Sequence, residues 1–551
     1  MTNLTEILTN ATLNPEAPAL NFVDRDAQES YSYGELQNRA ARLRGFLAAR
    51  GIGKGDRVVL VSENRPHWGA VYLSVVSHGA VIVPILTDFT EAQMGNILEH
   101  SGAGLVFASE KQQQKVAPFC EQNGVPLILL ETLPELYRSG EAAPRTPENN
   151  LDDDLAALLY TSGTTGTSKG VMLTHGNLAA NIKSCGKVNP LTGEDRFLSL
   201  LPLAHTYECT IGFLFPLSHG CSISYIKGAP SPRVLMDAMA RIKPTCVLSV
   251  PLLIEKIYRQ KVAASLYKGP VLPLLMKIPP FRKLLHTVAG KKLHKSFGGE
   301  LTFFGVGGAG LAPDVERFLK DARFPYSIGY GLTETAPLLA GSPPDLQAYR
   351  STGPAVEGVT LRIADPNPET GVGEIQARGP NIMTGYYKDP GKTAEAFTSD
   401  GWFRTGDLGE LSRKGYLYIR GRLKNLILGA NGENIYPEEV ESILVENALV
   451  EEALMVQKGK ELVGLIYLNA EKLQQEFENQ RAHLKVHWEK GKHGVELFRK
   501  ELDAYKEEIL ERIRQEVNQQ LSPGSRLSKL VEQANPFEKT PSLKIKRYLY
   551  A

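Results

Sequence analysis

The chain has 551 residues, too many for one hydrophobic core at roughly 100–200 residues per domain, so at least two domains are expected. Its apolar share of 42% and charged share of 22% are those of an ordinary globular protein. The balance of 62 Lys and Arg against 61 Asp and Glu excludes the basic excess of a dedicated nucleic-acid binder.

Five scattered cysteines (Cys120, Cys185, Cys209, Cys221, Cys246) have no metal-ligand spacing and fit a reducing compartment without a disulfide framework. The N-terminus lacks a basic start followed by an apolar run, so no secretory signal is expected. No stretch reaches the roughly 18 apolar residues of a spanning helix, and the expected location is cytoplasmic.

In chain order, Leu36, Ala40, Leu43 and Leu47 have helical spacing, and Gly51-Ile-Gly-Lys-Gly-Asp ends that helix. Arg57-Val-Val-Leu-Val reads as a buried strand, Trp68 to Val76 as a helix, and Ala80 to Ile85 as the next strand. The rhythm repeats at Leu105-Val-Phe-Ala and Val125-Pro-Leu-Ile-Leu-Leu, which predicts parallel sheets covered by helices. Two stretches depart from the average. Leu252 to Phe297 carries ten Lys and Arg against the single acid Glu255, broken by four prolines. Glu471 to Leu521 carries ten basic and eleven acidic residues, and Phe498, Leu502, Tyr505, Ile509, Ile513 and Val517 recur at helical steps, predicting an amphipathic helix that ends before Pro523-Gly524.

The most informative segment is Leu158 to Met172, an apolar strand entering a loop of Gly, Ser and Thr with one lysine. Glycines let backbone N–H groups wrap an anion closely, hydroxyls add donors and a lysine adds charge. A Walker A loop is disfavoured, because Ser168 stands at the second glycine position and Gly170 where Ser or Thr should follow Lys169. Tyr160-Thr-Ser-Gly-Thr-Thr-Gly-Thr-Ser-Lys-Gly instead resembles the signature of the adenylate-forming (AMP-binding) enzymes, most nearly the long-chain fatty-acid–CoA ligases among them. Further motifs follow in the family's order. They are Tyr330-Gly-Leu-Thr-Glu-Thr, Gly401-Trp-Phe-Arg-Thr-Gly-Asp-Leu-Gly, Gly421-Arg-Leu-Lys-Asn-Leu-Ile, Gly432-Glu-Asn-Ile-Tyr-Pro-Glu and Lys539-Thr-Pro-Ser-Leu-Lys-Ile-Lys-Arg.

The resemblance implies an α/β fold: a large N-terminal domain of layered α/β sheets over 1–421, a hinge at 422–424, and a smaller mobile α+β domain over 425–551 with a charged helical insertion at about 471–521. It implies that a carboxylate attacks the α-phosphorus of ATP and that a thiol, usually that of coenzyme A, then takes the acyl group. Thr161, Ser162, Gly163, Thr164, Thr165, Gly166 and Lys169 would hold the β- and γ-phosphates, with Thr165 and Lys169 among the catalytic groups. Glu334, aided by the hydroxyl of Thr161, would bind Mg²⁺, which prefers hard oxygen donors. Gly329, Tyr330, Gly331, Leu332 and Thr333 would hold adenine and the α-phosphate, with Gly308, Ala309 and Gly310 packing the other side of the base. Asp407, assisted by Arg422, would accept the ribose hydroxyls, since one carboxylate takes two O–H donors. Lys544 would be the cation at the α-phosphorus, with Lys546 the runner-up. Lys424 marks the hinge, and Gly429, Ala430, Asn431 and Gly432 would line the CoA channel.

The acid itself is read from Leu201-Pro-Leu-Ala-His-Thr-Tyr-Glu, which resembles the acyl-pocket motif of long-chain members and places His205, Thr206, Tyr207 and Gly307 at the pocket. The expected partners are a fatty acid, ATP and CoA, with no nucleic acid; an acyl-carrier protein as acceptor and a non-catalytic nucleotide- or acyl-binding module are the alternatives. For the basic 252–297 segment three readings stand: a solvated excursion, a site for the 3′-phosphate of CoA, and peripheral contact with an anionic membrane.

Overall fold

The computed structural model describes residues 2–23, 29–139, 143–161, 168–228, 232–266, 271–428, 434–459, 461–483, 492–539 and 545–550. The expected strands Arg57–Val61, Val81–Ile85 and Ala103–Ala108 lie side by side in parallel register, and Leu155–Thr161 extends them beyond Val81–Ile85. Antiparallel strands Lys169–Thr174 and Gly385–Tyr386 then complete one edge of a seven-stranded sheet. The Val125 stretch gives a shorter strand than expected, Leu127–Leu129, because Leu130–Thr132 turns into a 3₁₀ segment.

A second seven-stranded sheet carries Tyr326–Ile328, Phe303–Val306, Cys246–Ser249, Arg196–Ser199, Ser222–Tyr225 and Pro18–Phe22 in parallel, edged by antiparallel Tyr31–Ser32. The two sheets share one core. Its centre is helix Pro66–Ser77, buried along its whole length, in which Trp68 stacks on Tyr72 and meets Phe213 edge-on. A helix apolar all round has no solvent face to offer, so only a place between two layers satisfies it. Helix Tyr33–Ala49 brackets the expected Leu36–Leu47 run and starts at a capping box between Ser32 and Glu35.

A four-stranded antiparallel sheet follows: Thr360–Ala364, Gly373–Arg378, Phe403–Leu411 and Leu417–Arg422. The C-terminal domain has its own sheet, Val450–Lys458, Glu461–Leu468 and Lys529–Glu532, and its own core. The charged stretch gives two helices, Ala470–His483 and Lys492–Asn518. They belong to that core, since Leu473, Phe477, Tyr505, Ile509, Ile513 and Val517 are buried in it and the Phe477 and Tyr505 rings lie 5.2 Å apart. All five cysteines are buried and free. Among the described residues no helix is long and apolar enough to cross a membrane.

Candidate functional site

The phosphate-loop segment is a β-hairpin. Leu155–Thr161 and Lys169–Thr174 pair antiparallel, with Thr161 opposite Lys169, so the sheet fixes both ends of the loop. Ser162, Gly163, Thr164, Thr165 and Gly166 lie outside the described residues, as do Gly429, Ala430, Asn431, Gly432 and Lys544.

Strand Gly385–Tyr386 lies beside Lys169–Thr174 and brings Tyr386 to the hairpin. The Lys169 ammonium sits 4.8 Å from the Tyr386 ring centroid. The same tyrosine donates its hydroxyl to Glu334 Oε1 at 2.9 Å. Burial first, and then the Glu334 charge, push the Tyr386 phenol well above its ordinary value, so it stays a donor. Glu334 stands in the 3₁₀ turn Thr333–Thr335, and its backbone carbonyl accepts from Met383 N at 2.8 Å. Asn181 and Asn381 both donate side-chain amides to the carbonyls of Thr335 and Leu338, which locks that turn. Glu334 is half-buried and keeps one oxygen without a hydrogen bond among the described residues, a donor set suited to a hard cation that retains several waters. Among the described residues no group of three His, Cys, Asp or Glu side chains is placed to hold a metal ion.

The second cluster is built on the register of the third sheet, which sets Asp407 opposite Arg422. Arg422 Nε lies 3.1 Å from Asp407 Oδ1, and the Tyr330 hydroxyl donates to Oδ2 at 2.8 Å. The Asp407 side chain is only 7% exposed. Each carboxylate oxygen has two lone pairs, so one carboxylate can accept several donors at once. Tyr330 is held far above its ordinary pKa by burial and by the Asp407 charge. Strand Tyr330–Gly331 folds back on Leu338–Ala340, and Gly331 cannot be replaced there, because a Cβ would lie 1.8 Å from the Pro337 carbonyl oxygen. Leu332 and Thr333 continue from it towards Glu334, and Gly329 precedes it against Leu338. Partial desolvation, then the Arg422 charge, lower the Lys424 pKa; Lys169 adds to this and Asp407 opposes it. Lys424 therefore feels charges of both clusters, which are joined through the 330–334 segment that carries Tyr330 and Glu334.

Among the residues expected at the acyl pocket, the π-helical turn Tyr207–Leu214 sets the Tyr207 ring against Gly307, where a Cβ would approach the ring to 3.1 Å. His205 Nδ1 accepts from Tyr207 N at 3.2 Å. Thr206 is buried, and its hydroxyl has no hydrogen-bond partner among the described residues. Gly308, Ala309 and Gly310 form an exposed lip after strand Phe303–Val306.

The sequence reading omitted three residues. Tyr386 ties Lys169 to Glu334, and its only signal was a glycine- and aromatic-rich stretch before the ribose motif. Asn381 gave no signal. Glu208 closes the Leu201 motif and is fully buried; Ser199 donates its hydroxyl to Oε1 at 2.6 Å while Oε2 has no partner among the described residues. Burial raises the Glu208 pKa to about 8.

The profile of the AMP-binding enzyme family matches residues 8–387. The long-chain-fatty-acid–CoA ligase FadD15 of Mycobacterium bovis is 32% identical over 470 residues, covering 78% of this chain and 75% of that protein. The sulfoacetate–CoA ligase of Cupriavidus necator is also 32% identical, over 473 residues, covering 82% and 85%. The crystal structure of ATP-bound MatB from Rhodopseudomonas palustris superposes with a TM-score of 0.78 at 25% identity, covering 100% of this chain and 98% of that one.

Proposed function

This chain belongs to the AMP-binding enzyme family, and on that premise we propose that it activates a fatty acid in two steps. The acid's carboxylate oxygen attacks the α-phosphorus of ATP and pyrophosphate leaves, giving an acyl-adenylate. The thiol sulfur of coenzyme A then attacks the acyl carbon, and AMP leaves. The observation that carries this reading is the pair of clusters joined through the 330–334 segment, Lys169–Tyr386–Glu334 and Tyr330–Asp407–Arg422.

Asp407 fits as acceptor for the ribose hydroxyls, since its two oxygens are already aimed by a phenol and a guanidinium. Lys169 and the hydroxyls and backbone of 161–166 are assigned to the triphosphate. Glu334, oriented by Tyr386, and the Thr161 hydroxyl would hold Mg²⁺, which when bound neutralises charge on the phosphate oxygens. Tyr207, packed on Gly307, and the preceding His205 and Thr206 are assigned to the acid's entrance. Lys544 is assigned to the developing charge at the α-phosphorus. The 422–424 hinge would let the domain over 425–551 withdraw Lys544 and present 429–432 to the thiol, so that one site serves both steps.

The fatty-acid assignment draws support from the Leu201–Glu208 motif and from similarity to the mycobacterial ligase, whereas the sulfoacetate relative has a small acid in its name. The test is pyrophosphate release from ATP with a panel of acids that includes long- and medium-chain fatty acids and sulfoacetate, with CoA or an acyl-carrier protein as acceptor. Turnover confined to fatty acids with CoA is expected. Preference for sulfoacetate would replace the acid, and turnover with carrier protein alone would replace the acceptor.

A further inference from the structure

The basic segment folds into helices, and the last of them, Pro279–Ser296, faces outward in an unusual way. His286, Gly290 and Leu293 form its buried side, with Gly290 against Ala322. A surface helix ordinarily turns polar residues away from that side. Here Phe281, Leu284 and Val288 point outward at 48%, 60% and 50% exposure. Leu274 and Ile278, just before the helix, are 63% and 45% exposed. Fourteen large apolar side chains are exposed among the described residues, and five of them fall within 274–288. Single exposed leucines are commonplace; this concentration is not.

At about 100° per residue, Phe281, Leu284 and Val288 share one stripe with Lys291, Lys292 and Lys295. Lys277 precedes the helix, and Lys283 lies about 130° around it from the centre of the stripe. Between Leu274 and Lys295 there is no acidic residue. Arg282 is paired with Asp321, but Lys277, Lys283, Lys291, Lys292 and Lys295 have no carboxylate within ion-pair distance among the described residues. Unneutralised lysines beside outward apolar side chains match a surface that is negative at its polar layer and apolar just beneath.

We propose that the face formed by 274–295 docks on a membrane surface containing anionic lipid, with Phe281, Leu284 and Val288 entering the acyl boundary and the lysines at headgroup level. Long lysine stems allow this, since they lie along apolar material while their ammonium groups stay in water. The inference is independent of which acid the enzyme activates.

The test is co-sedimentation of the full-length protein with vesicles of phosphatidylcholine alone and of phosphatidylcholine with phosphatidylserine, in low and high salt, without substrates. Partitioning into the anionic vesicles is expected to be at least about tenfold stronger and to weaken with salt. The variant K291Q/K292Q/K295Q should lose roughly a hundredfold of that partitioning. F281S/L284S should lose binding while retaining acid-dependent pyrophosphate exchange, which reports an intact fold. Equal partitioning into both vesicles, or unchanged partitioning of both variants, overturns the proposal. So does a dimer in sedimentation velocity that L284S dissolves, which would assign the face to a second copy. Weakened CoA affinity of the lysine variant with unchanged vesicle binding would assign the lysines to CoA and overturn it as well.

Discussion

Replacing Glu208 by glutamine isolates the cost of a carboxyl buried against Ser199 and Gly212. Its ordinary pKa of 4.5 is raised to about 8 in the fold, by burial that the single Ser199 hydrogen bond does not offset. Below the unfolded value both states hold the proton and the fold loses nothing. As pH rises above about 4.5, the unfolded chain releases its proton while the folded chain retains it, so stability falls until the folded group also titrates near 8. At about 1.4 kcal/mol per pH unit, the loss between pH 5.5 and pH 8 is about 3 kcal/mol. Glutamine keeps the shape without the titration, so Glu208→Gln should lack this slope and be the more stable protein at the alkaline end. The assay is the thermal midpoint of both proteins across that pH range. Parallel profiles would refute the reasoning, because they would mean that Glu208 titrates alike in the folded and unfolded states.

Asp407→Asn should lower kcat/KM for ATP roughly 10- to 100-fold, since it removes charge-assisted bonds of about 1.5–3 kcal/mol, and steady-state kinetics at saturating acid would check it. Tyr386→Phe removes the hydroxyl that aims Glu334, a bond of about 1 kcal/mol, so the Mg²⁺ concentration for half-maximal rate should rise about fivefold with little change in KM for the acid. Lys544→Ala should lose adenylation while keeping much of the thioester step from supplied acyl-adenylate; equal loss of both steps would remove its assignment to the first.

The strand entering the Gly-, Ser- and Thr-rich loop, and Glu334, Asp407 and Arg422 as candidates, were legible in the sequence because each lies in a short motif, whereas the antiparallel return strand Lys169–Thr174 was not. The strands Arg57–Val61 and Val81–Ile85 were legible too, with the wholly buried helix between them, where apolar runs are unbroken. Tyr386 was not readable, since its role depends on a two-residue strand pairing with residues more than 200 positions earlier. Asn181 and Asn381 converge on the same two carbonyls from different elements, an arrangement no local pattern announces. Glu208 reads locally as a solvated acid, and only the packing of Ser199 and Gly212 around its carboxyl reveals a buried one. The helices at 470–518 were legible as helices, but their place in the C-terminal core depends on the partners they meet there.

The central claim is that the acid's own oxygen attacks the α-phosphorus. Turnover of a fatty acid labelled with ¹⁸O in both carboxylate oxygens, with ATP and CoA, tests it directly. In the proposed mechanism the bridging oxygen of the adenylate stays with phosphorus when the thiol displaces AMP. Mass spectrometry should therefore find one labelled oxygen in AMP and one in the thioester carbonyl. Unlabelled AMP, or label in inorganic phosphate alongside ADP, would contradict the account.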